Sequence, residues 1–155
     1  MSGRTRAFKG PMRRPRSLAE AAQRGRAVGD IDANLREFLD EFYSEASADK
    51  RAMMLAEEPP LTASDRENAY LAAAAEHLAL RNDLPIPPWV NGAARFLKRP
   101  FFPSGLESLK AVLLVESPTA FRRRMIFVGA DPLYRPRRDA PTPRQIKVDA
   151  QQERH

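Results

Sequence analysis

Cysteine is absent from this chain of 155 residues, so a disulfide framework, a thiolate zinc site, an iron–sulfur cluster and a cysteine nucleophile are all excluded. Histidine is nearly as scarce, with only His77 and His155, which leaves little for metal ligation or acid–base chemistry. A Gly-rich phosphate loop, a G-x-S-x-G elbow and an H-E-x-x-H helix are missing too. No metal and no cofactor is therefore expected. The longest run of large apolar residues is Val112 to Val115, far below the ~20 needed to cross a bilayer. The basic N-terminus lacks the apolar stretch of a secretory signal, so the expected location is cytoplasmic and no membrane partner is expected. Glycine is sparse, 7 residues against 14 prolines, which reads as short segments stiffly joined.

What is present is charge, unevenly placed. Net charge is +6, yet residues 1–16 alone carry six basic and no acidic side chains. Residues 17–90 hold 7 basic against 14 acidic, residues 91–134 hold 7 against 3, and residues 135–155 hold 6 against 3. The two ends are poor in aromatics and rich in proline, so 1–16 and 135–155 are expected to be disordered basic tails around a domain at 17–134. Arg13, Arg14 and Arg16 are candidates for phosphate contact, since basic tails hold nucleic acid without reading its sequence; solvated tails are an equal alternative.

Within 17–134 the signals are helical. Ser17–Glu20, Ser64–Glu67 and Ser104–Glu107 each have the form of a capping box, and Asp30 or Asp32 opens a helix with Ile31, Leu35, Phe38, Leu39 and Phe42 on one face. The first helix is expected to be short because of Gly25 and Gly29. A helix after Ser47, with Met53 and Met54 inward, must end by Glu58 before Pro59–Pro60. The longest helix runs from Ser64 to about Arg81 around Ala72–Ala75. A strap at Leu84–Pro88 follows, anchored by Trp89, then a short helix at Asn91–Lys98 with Phe96 and Leu97 inward, and a second rigid crossing at Arg99–Pro103. Residues 106–115 read as a buried helix, Ser117–Pro118 as the start of another, and Met125–Val128 as a strand edge without a partner in the chain. The expected fold is all-α: a compact bundle of five to seven short helices with proline-rich straps.

Catalytic candidates are few. Glu76 and His77 could centre a hydrolytic site, but His77 has no recognisable partner at useful spacing, and a half-buried structural histidine is the better reading. No catalytic residue and no enzyme activity is assigned. The strongest local feature is Arg122–Arg124. Near a helix start it opposes the dipole, which suggests an external anion or an acidic surface; pairing with the acidic face of residues 37–58 is the level alternative.

Several stretches taken together carry a resemblance: FLDEFY (38–43), AEEPPL (56–61), AAAAEHLALRNDLPIPPWV (72–90), FFP (101–103) with LESLKAVLLVESP (106–118), and AFRRRMIFVGADPL (120–133). In this order they resemble a family of small helical bacterial proteins, over roughly residues 31–133. The chain departs from the pattern at Met125, where members are more polar, and around Gly129–Leu133. Proteins of this kind are often encoded beside nucleotidyltransferase-like toxin genes, so the resemblance implies an antitoxin or toxin-partner role. The expected function is accordingly non-enzymatic protein binding to a toxin-like nucleotidyltransferase, through Phe101, Phe102, Arg122, Arg123 and Arg124. The alternative is a nucleic-acid-binding accessory acting through the tails and the arginine run.

Overall fold

The structure, a computed structural model, describes residues 13–103 and 110–136. The expected capping box at Ser104–Glu107 lies outside these residues, as do 1–12 and 137–155 of the two tails.

Helix α1 (Leu18–Val28) starts where the Ser17 hydroxyl accepts from the Glu20 amide at 3.0 Å, while the Glu20 carboxylate accepts from the Arg16 amide at 2.8 Å. It runs through Gly25, contrary to the expectation that this glycine would shorten it. A Cβ there would lie 2.5 Å from the Ile31 Cα, so Gly25 is where the next helix crosses closest. Gly29, at φ 74°, closes α1 in the left-handed conformation that glycine adopts without steric cost. The chain folds straight back into α2 (Ile31–Ser44), capped by Asp30, whose side chain accepts from the Ala33 amide at 2.9 Å. Its apolar face is buried as the periodicity requires, at Leu35, Phe38, Leu39 and Phe42.

Ser47 caps α3 (Ala48–Ala56). Arg51 on α3 donates to the Phe42 and Tyr43 carbonyls, both at 3.2 Å, satisfying acceptors that the end of α2 leaves open. Met54 is buried but Met53 is 72% exposed, so only one of the two methionines expected inside reaches the core.

Helix α4 (Asp65–Arg81), capped by Ser64, is the axis of the domain. Every residue from Leu71 to Ala79 is buried. Two 3-10 turns (Pro88–Asn91 and Ala93–Arg95) pack on it, in place of the single short helix expected over 91–98. Trp89 anchors the strap by donating from its indole to the Leu55 carbonyl at 3.0 Å.

Helix α5 (Lys110–Glu116) and the four-residue α6 (Thr119–Arg122) complete the set. Ser117 does not cap α6, whose N-cap is Pro118. Its hydroxyl instead links the Leu113 carbonyl to Val128, whose amide donates to it at 2.9 Å. The Met125–Val128 run also departs from expectation, because its partner is in the chain: Phe101 forms an isolated parallel bridge with Ile126. The Phe101 amide donates to the Met125 carbonyl at 2.8 Å and the Phe127 amide to the Phe101 carbonyl at 2.9 Å. The rigid proline-aromatic crossing supplies the mate, a pairing between segments too short to announce it. Among the described residues the fold is all-α, six α-helices with proline straps and no strand beyond this bridge.

Candidate functional site

The arginine run divides into an inside and an outside. Arg124 is fully buried, and its guanidinium meets the Glu76 carboxylate at 2.9 Å. It also donates to the Ala120 and Val90 carbonyls, both at 2.7 Å, and lies 4.6 Å from the centre of the Phe96 ring. Burial pushes Arg124 below the usual arginine range, and the hydrogen bond and charge of Glu76 oppose that shift. Arg123 spans both Glu76 oxygens at 3.1 Å and reaches the Asn91 side chain at 3.3 Å, with its own side chain 43% exposed. Arg122 is exposed, and it donates to the Val115 and Ser117 carbonyls at 2.8 and 2.9 Å.

Two expectations change here. Arg124 cannot meet a partner, because it has no surface. The intramolecular partner of the run is Glu76 on α4 rather than the acidic face of residues 37–58. The dipole argument also reverses: α6 is so short that the arginines stand at its C-terminal end, where cations are favoured. The same device recurs at Arg95, likewise fully buried, which pairs with Glu58 at 2.9 Å, donates to the Pro59 and Asn68 carbonyls, and lies 4.8 Å from the Trp89 ring centre. Nothing in the sequence marks Arg95, since a lone arginine in an alanine-rich turn carries no periodic signal.

Glu76 is therefore committed to arginines and is not available to act with His77. Neighbours on a helix point about 100° apart, and the His77 ring packs edge-on to Phe121 at 5.6 Å. Burial lowers the His77 pKa below its ordinary value, Arg81 adds to this, and Asp131 opposes it. His77 borders an open pocket of about 360 Å³ between α2, α4 and residues 131–135. Burial likewise raises Tyr43 on the same pocket, with a contribution from Asp131. Among the described residues no group of three His, Cys, Asp or Glu side chains could hold a metal, and no helix is long and apolar enough to cross a membrane.

The outer face is apolar. Helix α5 exposes Val112, Leu114 and Val115, the last at 76%, and of the run Val112–Val115 buries only Leu113. The run expected inside the core thus stands mostly in solvent. Phe101 and Phe102 are half-buried beside this region: Phe102 stacks on Phe127 at 5.2 Å, and Arg66 covers the Phe101 ring at 4.4 Å. They pack the crossing to the domain and also border its surface.

Of the N-terminal arginines, Arg14 is drawn to Glu37 and Glu41 at 3.6 and 4.0 Å, and the Arg13 carbonyl accepts from Arg24. Pro15 is buried, so residues 13–16 are docked on α1 and α2 rather than lying in a free tail. Arg135, placed in the other tail by composition, is paired with Asp40 at 3.0 Å. Arg13 and Arg16 remain exposed. When the chain is set against known proteins, no family model matches it, and neither does any curated protein or any solved structure.

Proposed function

We propose that this chain is a non-enzymatic protein-binding module that docks an acidic, apolar-anchored surface of a partner protein onto the exposed face of α5. The observation that carries the reading is that face itself: three branched aliphatic side chains left in solvent on a helix whose following segment is tied down. Apolar anchors within a polar rim are how helix faces engage partners. The surrounding stretch, residues 91–134, is basic on balance, with the exposed Arg122 of α6 donating to the Val115 carbonyl of α5, so a complementary partner is acidic. The resemblance described above favours a nucleotidyltransferase-like toxin in a bacterial cytoplasm as that partner, which makes the module antitoxin-like. The internal use of Glu76, Glu58, Arg95 and Arg124 also supports a scaffold rather than a catalyst, because these charges are consumed in holding the fold.

The test is a tagged purification from the native host with and without nuclease, run alongside the Val112→Asp/Val115→Asp variant, with circular dichroism to verify folding. A stoichiometric protein that survives nuclease and is lost from the folded variant supports the reading. Nucleic acid alone, or a protein retained equally by the variant, overturns it.

A further inference from the structure

The pocket beside His77 has an unusual polar inventory. Most of its polar lining is already engaged. The Tyr43 hydroxyl donates to the Leu133 carbonyl at 2.8 Å, and Arg135 grips Asp40 at 3.0 and 3.2 Å. Asn82 accepts from Arg51 at 3.0 Å and donates to the Leu78 carbonyl at 2.7 Å. The bonds from Tyr43 and to Asp40 pin residues 131–135 to α2 and so build one wall of the pocket. Four groups are left over, one of them the Tyr134 hydroxyl at the exposed rim. The side chains of Arg81, Asp131 and His77 make no hydrogen bond or ion pair with any described residue. His77 is only 6% exposed as a residue, yet its ring nitrogens are not enclosed, so the unpartnered imidazole opens onto the pocket floor. Arg81 and Asp131 both act electrostatically on His77 and on Tyr43, which places one free positive and one free negative charge around the same imidazole without their pairing to each other.

We propose that this pocket binds a zwitterionic small molecule of the free amino acid class, with Arg81 taking its carboxylate, Asp131 its ammonium group and His77 a hydrogen bond at the floor. A simple anion would meet repulsion from Asp131, and a simple cation would meet it from Arg81; a zwitterion satisfies both at once. The pocket, about 360 Å³, is at the small end of ligand sites and suits a molecule of this size. Leu78 and Tyr134 supply the apolar wall for its side chain. The site lies on different side chains from the α5 face and stands independently of the partner-binding reading.

The experiment is a thermal-shift screen of the full chain against each proteinogenic amino acid at about 10 mM, followed by calorimetric titration. Phenethylamine and hydrocinnamate serve as single-charge counterparts of phenylalanine, and isoamylamine and isocaproate as those of leucine. For a dissociation constant near 1 mM, at least one amino acid raises Tm by about 4 °C. The single-charge analogues leave Tm unmoved. Arg81→Gln and Asp131→Asn each weaken binding about tenfold or more, and His77→Gln weakens it by a smaller factor. Both charged positions are exposed, so these variants keep the fold. The proposal is overturned if no amino acid shifts Tm, if a shift persists in Arg81→Gln or Asp131→Asn, or if hydrocinnamate or isocaproate binds as tightly as its amino acid.

Discussion

Helices α4 and α5 invert what their side chains suggest. Helix α4 is built largely of alanine, with an asparagine, a glutamate and a histidine among its buried residues, yet it is enclosed from Leu71 through Ala79. Helix α5 carries two valines and two leucines in succession and buries one of them. Burial follows from how closely neighbours can approach. Small residues let α6 and both 3-10 turns close on α4, so little apolar area per residue is needed to exclude water. Branched side chains on α5 have no described element over them, and their apolarity cannot supply one.

Perturbing the centre of α4 should have the largest effect. Glu76→Ala leaves Arg124 buried without its counter-charge and should cost about 3–5 kcal/mol, read as a fall in the denaturant midpoint. A loss below 1 kcal/mol would mean the guanidinium finds water or moves out, and the enclosed picture of α4 would fail. Next, Ala74→Leu inserts volume where backbones are close and should destabilise by about 1–3 kcal/mol.

A third test addresses the junction after α6. Met125 has φ 62°, a left-handed conformation that branched and long side chains adopt at a cost and that asparagine tolerates. Met125→Asn should therefore stabilise the domain by about 0.5–1 kcal/mol, measured as a raised midpoint.

The remaining predictions are small. His77 binds its proton less readily folded than unfolded, so the unfolded state takes up more protons as pH falls. Stability is complete above about pH 6.5 and declines below it. His77→Gln should flatten that slope in denaturation measured between pH 7 and pH 5. On α5, Val115→Ser should change stability by less than about 0.5 kcal/mol. A loss comparable to that of Ala74→Leu would show that α5 is covered, and would remove the contrast between the two helices.

The elements with local punctuation were legible in the sequence. Ser17, Asp30, Ser47 and Ser64 cap the helices they precede, because capping needs only a side-chain oxygen within three residues. Pro59–Pro60 terminate α3 and Trp89 anchors the strap for reasons equally local. The candidate sites were less legible. Arg122 and Arg123 have exposed side-chain surface, but Arg124 is interior. The pocket joins Tyr43 and His77 to Asp131, residues distant in the chain whose proximity no spacing records.

By itself, the sequence determined the positions and caps of α1 to α4, the break at Pro59–Pro60 and the exclusion of cysteine chemistry, since each depends on interactions within a few residues. Only the tertiary structure decided which charges are buried, which apolar helix faces solvent, and that Phe101 rather than another chain completes the Met125–Val128 run. Those outcomes depend on desolvation and close approach, properties of neighbours brought together from opposite ends of the chain.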